Sequence, residues 1–105
     1  MPFSLAEINE AIAAVIPERE AIVTAGRRFT WRDLQMRTRR LANLLIAAGL
    51  GCRRERDSLA AWESGQDHVA LYLYNGNEYV EGMLGAYKAR AVPFNVNYRY
   101  VEEEL

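Results

Sequence analysis

A continuous apolar run, Val69 to Tyr74, and a second strand-like segment, Ala91 to Val96, with a helix-patterned stretch between them, constrain this chain more than any other feature. Continuous runs suit strands of a parallel sheet covered on both faces, whereas alternating ones suit a half-exposed sheet. Between the runs, Asn75 and Glu78 are spaced as a capping box, and Val80, Met83, Leu84 and Tyr87 recur at i, i+3, i+4 and i+7. The spacing predicts strand, helix and parallel strand, a single βαβ unit. Tyr100 and Val101 then lead into Glu102, Glu103 and Glu104, acidic residues suited to the positive end of another helix. A domain seldom stops as a helix opens, so the unit is expected to belong to a larger α/β domain.

Upstream, Ser4 with Glu7 predicts a helix from about Leu5. Leu5, Ile8, Ile12 and Val15 share one face of it, and Pro17 marks its stop. Ala21–Thr24 and Arg28–Thr30 read as short strands turning at Ala25, Gly26 and Arg27. Thr30 and Asp33 cap a second helix with an apolar stripe of Leu34, Leu41, Leu44, Leu45 and Ala48, and Gly49 supplies its left-handed C-terminal cap. Cys52–Gln66 breaks the pattern, being charged and weakly periodic with one helical turn expected after Ser58. Long connections of this kind are functional or mobile in compact domains, and mobility is the expectation here. The chain thus divides into a helix, hairpin and helix over 1–51, a mobile connection over 52–66, and the βαβ unit with the start of a helix over 67–105. The expected fold class is α/β, with a partial parallel sheet flanked by helices and a short β-hairpin.

Composition removes several classes of function. Half the residues are hydrophobic and 26% are charged, as in a globular protein. A net charge of −1 gives no electrostatic case for nucleic acid. A lone cysteine, Cys52, excludes an internal disulfide framework and fits a reducing, cytoplasmic compartment. The longest apolar runs, such as Leu41–Leu50, are too short for a transmembrane segment, and Glu7 and Glu10 interrupt any signal-peptide core.

The order and spacing of TWRDL…RTRRLANLLIAAGL and DHVALYLYNGNEYVEGMLGAYKARAVPFNVNYRYVEEEL resemble the amino-terminal end of AMP-forming acyl-CoA synthetases, in the adenylate-forming superfamily. The resemblance runs through nearly the whole chain. Its main departure is Cys52–Gln66, which most members cross in a few residues. It implies the amino-terminal subdomain of the adenylate-forming fold and a two-step ligase. Such an enzyme joins a carboxylic acid to ATP with magnesium, then passes the acyl group to coenzyme A. It also implies a fatty or otherwise hydrophobic acid as substrate, such as a long-chain fatty acid, and the remainder of the synthetase as partner. The family's phosphate loop, magnesium acid, ribose aspartate and final-domain lysine have no counterpart in these residues, so no catalytic residue is carried over. Nor do the seven glycines form a phosphate-cradling motif.

Asn97, Tyr98 and Arg99 follow the last strand, at the end where ligands gather in open α/β sheets. In the family the corresponding loop lies beside the coenzyme A tunnel, which implies contact with adenine or phosphate. The structural alternative is that Asn97 and Arg99 fasten a loop. The six tyrosines, among them Tyr72, Tyr74, Tyr79 and Tyr87, suit a lipid-lined cleft or, more simply, a core. Two arginine clusters, Arg37, Arg39 and Arg40, and Arg53, Arg54 and Arg56, suit a membrane surface delivering fatty acid or a solvated face. His68 and Cys52 lack the third group that a nucleophile pair needs.

The chain alone is therefore expected to be inactive. A stand-alone truncated paralogue acting as a binding module is the alternative. A parallel sheet cut short leaves an open strand edge, so homo-oligomers are expected, with exchange of the Val69–Leu105 segment as one route.

Overall fold

Local chemistry sets most element boundaries in the computed structural model, which describes residues 4–96. Ser4 Oγ accepts from the Glu7 backbone N–H at 3.1 Å and opens α1 (Leu5–Val15), which stops before Pro17. A two-residue turn joins β1 (Glu20–Thr24) to β2 (Arg27–Thr30). Its Ala25 and Gly26 take φ of +48° and +76°, the sign a tight hairpin turn requires. Helix α2 (Trp31–Ala47) begins with a complete capping box: Thr30 Oγ1 accepts from the Asp33 N–H at 3.1 Å, and Asp33 Oδ2 from the Thr30 N–H at 2.9 Å. It ends in a Schellman motif, with Gly49 at φ +90° and the Leu50 N–H reaching the Leu45 carbonyl at 3.0 Å.

The βαβ unit forms as the apolar runs require. Strands β3 (His68–Leu71) and β4 (Val92–Asn95) pair in parallel, His68 opposite Val92 and Leu71 opposite Asn95, joined through α3 (Asn77–Lys88). The cap assigned to Asn75 is corrected. Gly76 is the N-cap, with no side-chain cap hydrogen bond, and Asn77 opens the helix fully buried. Covering on both faces is likewise not seen among the described residues. Leu71 is buried against Gly82 of α3, while His68, Ala70, Tyr72 and Tyr74 are exposed.

The core is small and built from short side chains. Ala13, Leu34, Ala42, Leu71, Ala86, Ala89 and Ala91 are buried, and Thr38 and Asn77 are the largest fully buried side chains. The apolar stripe drawn for α1 is rotated, and that drawn for α2 holds at Leu34 and, half-buried, at Leu41 and Leu45, but not at Leu44 or Ala48. Leu5, Ile8, Val15 and Leu44 are exposed, while Asn9, Ala13, Thr38 and Ala42 face inward. Small residues let α1, α2 and α3 approach closely, and the closest face wins over the most apolar one. The Asn9 Oδ1 atom finds no hydrogen-bond partner among the described residues.

The 52–66 connection is pinched shut at its neck. Cys52 bridges Gln66, the Arg53 and Arg54 N–H groups both donate to the Gly65 carbonyl, and the Asp67 N–H donates to the Gly51 carbonyl at 2.8 Å. Gly65 is required there, since a Cβ would collide with the Arg54 carbonyl. The expected turn after Ser58 lies earlier, as a 3-10 turn over Arg56–Ser58.

Candidate functional site

Register places the carboxyl ends of β3 and β4 side by side, since Leu71 and Asn95 are paired. From one end runs Tyr72–Gly76. The sequence candidates Asn97, Tyr98 and Arg99 follow the other and lie outside the described residues. Among the described residues, two polar clusters hold α3, one at each of its ends.

The first cluster surrounds the start of α3. Arg27, beside the hairpin turn, donates to Asn77 Oδ1 at 2.7 Å and to Glu78 Oε2 at 3.2 Å. Asn77 Nδ2 donates to Glu81 Oε1 at 3.2 Å, and Glu81 takes both Arg37 Nε and, at 3.1 Å, Arg37 Nη2. Arg27 and Arg37 both sit over the Phe29 ring, at 5.7 and 5.2 Å. The Glu81 carboxylate raises the Arg37 pKa further above its usual value. The hairpin, α2 and the N-terminus of α3 are thereby tied together.

The second cluster surrounds the end of α3. Lys88, its side chain only 7% exposed, donates to Glu10 Oε2 at 2.6 Å and Thr38 Oγ1 at 2.7 Å. Gln35 Nε2 and Arg39 Nε each donate to Glu10 Oε1 at 3.0 Å. Arg39, and then Lys88, pull the Glu10 carboxyl down to about 2 against the opposing effect of burial. This cluster ties α1, α2 and α3 together.

The remaining sequence candidates separate. In the first arginine cluster, Arg37 and Arg39 pair with Glu81 and Glu10. In the second, Arg53 pairs with Asp67 and Arg54 with Glu63, while Arg56 donates to the Ala60 carbonyl at 3.4 Å. The arrangement is that of a solvated, ion-paired face. His68 stacks edge-on against Phe94, and the Cys52 thiol donates to the Arg54 carbonyl at 3.3 Å. Tyr72 and Tyr74 are exposed; Tyr79 and Tyr87 are half-buried. A groove of about 500 Å³ runs beside β3, floored by Leu41, Leu45, Val69, Leu71 and Leu73 with Arg40 at its rim.

Sequence reasoning missed Asn77, Glu81 and Lys88. The signal was present: they share one helical face at i, i+4 and i+11, with Gly85 between them at i+8.

One further residue bears on the connection. Arg90 takes φ +62° in the Schellman turn that ends α3, where glycine is favoured, and its guanidinium grips Glu55 with bonds of 2.9 and 2.8 Å. Replacing Arg90 with glycine relieves roughly 1 kcal/mol of backbone strain. It also removes an ion pair that solvent screens. Global stability should therefore change little, while amide exchange over 53–65 accelerates; unchanged exchange would show that the pair does not hold the loop.

The sequence model of AMP-binding enzymes matches residues 9–105. The chain is 52% identical over 103 residues to the medium-chain acyl-CoA ligase Mig of Mycobacterium avium, an alignment covering 98% of this chain and 19% of that protein. To the 3-oxocholest-4-en-26-oate–CoA ligase of Rhodococcus rhodochrous it is 38% identical over 105 residues, 100% of this chain and 17% of that one. The fold superposes on the inhibitor-bound N-terminal domain of FACL13 from Mycobacterium tuberculosis with a TM-score of 0.75 at 26% identity, over 94% of this chain and 22% of that one. The chain thus spans about a fifth of the length of the relatives it matches.

Proposed function

This chain belongs to the AMP-binding enzyme family, and on that premise we propose that it is the amino-terminal part of an ATP-dependent ligase joining a hydrophobic carboxylic acid to coenzyme A. The observation that carries this reading is the 52% identity, over nearly the whole chain, to a medium-chain acyl-CoA ligase. A second relative acts, by its name, on a sterol-derived acid, so the proposed substrate class is apolar acids in general.

The role proposed for these residues is scaffolding. Arg27, Asn77, Glu81 and Arg37 at one end of α3, and Glu10, Thr38 and Lys88 at the other, fix the strands whose carboxyl ends precede Tyr72–Gly76 and Asn97–Arg99. The latter three remain the proposed coenzyme A contact. Among the described residues no group of three or more His, Cys, Asp or Glu could hold a metal ion, so no magnesium ligand is assigned to them. ATP, magnesium and coenzyme A belong to the proposed whole enzyme.

The test compares this 105-residue chain with the polypeptide of its whole reading frame. Each is given ATP, magnesium, coenzyme A and a panel of medium-chain, long-chain and sterol acids. Acyl-CoA and pyrophosphate are expected from the whole polypeptide and neither from the chain alone. Product from the isolated chain would overturn the scaffolding role. No product from the whole polypeptide with any acid would overturn the ligase.

A further inference from the structure

From the turn that ends α3, Arg90 reaches both arms of the 52–66 loop. Its guanidinium holds Glu55 on the outgoing arm through two bonds, and its carbonyl accepts from Gln66 Nε2 on the returning arm at 2.7 Å. A side chain at φ +62° is strained, and such a conformation persists where the surrounding structure holds it. Glycine would fit that turn better but could not grip Glu55.

Beyond the neck, the loop's other bonds turn inward. Arg54 donates to the Ser58 carbonyl and pairs with Glu63. Ser58 Oγ donates to the Glu55 carbonyl at 2.8 Å, and the Ala60 N–H donates to Glu63 Oε1 at 2.8 Å. Its regular structure is the three-residue 3-10 turn Arg56–Ser58, and a single turn is marginal without support from outside. The loop encloses no packed core. It wraps a cavity of about 200 Å³ walled by Leu59, Gly65, Gln66 and Arg90.

The grip itself is open to water, since the side chains of Arg90 and Glu55 are 60% and 63% exposed. Dissolved ions weaken such a pair, because the screening length falls from about 10 Å at 0.1 M salt to about 3 Å at 1 M. The neck depends less on charge, as the Arg53 and Arg54 N–H groups and the Asp67 N–H bond to backbone carbonyls.

We propose that residues 54–64 form a salt-gated strap, clasped to the α3–β4 corner by Arg90 and Glu55 and released as ionic strength rises, while the neck and the body stay folded. Release frees the Arg90 guanidinium and opens the cavity beneath the strap. This device rests on the loop's own bonds and is independent of the ligase reading.

Hydrogen exchange of the whole-frame polypeptide, read by peptide mass, tests it. Raising sodium chloride from about 0.1 to about 1 M should accelerate exchange over 54–64 severalfold and leave exchange over α2 unchanged. Glu55→Ala and Arg90→Asn, the latter keeping a residue that tolerates positive φ, should each show the fast exchange already at low salt and lose the salt response. Combining the two should add nothing, as expected of two halves of one clasp. Three results would each overturn the proposal. These are exchange over 54–64 unmoved by salt in the wild type, as when the rest of the polypeptide covers the loop, a salt response that either variant retains, and additive effects of the two substitutions.

Discussion

Replacing Gly85 with valine is expected to cost this fold about 3 kcal/mol, the upper end of what overpacking a tight interface does. Helices α2 and α3 make the most extensive contact among the described elements, and Gly85 packs directly against Leu41 there. A Cβ there would lie 2.6 Å from Leu41 Cδ2, 2.9 Å from Cγ and 3.0 Å from Cβ. Because the clash reaches down to the Cβ of Leu41, rotation of that side chain cannot relieve it and the helices must part. Gly85→Ala sets the same clash against a gain of about 1 kcal/mol in helix propensity and should lose less. At Gly82 only the far end of Leu71 approaches closely, its Cδ2 at 2.9 Å and its Cγ at 3.9 Å. Gly82→Ala should therefore be nearly neutral. Urea unfolding of the three variants should rank them in that order, and adding Leu41→Ala should recover much of the Gly85→Val loss. Equal effects at the two glycines would refute this account of the interface.

Glu10→Gln should cost about 2–3 kcal/mol at neutral pH, because it leaves the buried Lys88 ammonium with Thr38 as its remaining strong partner. Lys88→Met should cost less, since Glu10 keeps Arg39 and the apolar replacement fits a buried site. The dependence on pH has a definite sign. The folded-state pKa of Glu10 lies near 2, below its ordinary 4.5, so its contribution is fully present above about pH 4.5 and fades as pH falls toward 2. Wild type and Glu10→Gln should differ by a constant amount from pH 6 to 8 and converge below 4.5. A gap undiminished at pH 2.5 would place the stabilisation elsewhere. Glu10 retains 30% side-chain exposure, and solvent screening keeps the effect below that of a fully buried pair.

The legible parts of the sequence were those governed by neighbours in the chain. The Ser4 and Thr30 caps, the Gly49 terminator and the Ala25–Gly26 turn each depend on a few adjacent residues, and the parallel pairing follows from two apolar runs around a helix. Asn75 was misassigned because the capping-box rule is local, while Asn77 is recruited by Arg27, distant in sequence. Periodicity identified a face on α1 but not which face meets a neighbour, so Leu5 and Ile8 were placed inside and Asn9 was not. The site was less legible still. Its polar clusters join three or four segments, and no single window of sequence contains one. The family came from order and spacing along the whole chain, which the individual residues do not carry.

Lys88 is the one lysine in the sequence, and its ammonium is enclosed by Glu10 and Thr38. All other positive side chains are arginines, whose guanidinium groups stay protonated and are poor nucleophiles. Apart from its amino terminus, the molecule therefore shows activated acyl groups hardly any amine to attack them. Amine-directed cross-linkers would therefore pass over this part of the surface, and on the proposed ligase reading so would stray acylation by activated intermediates.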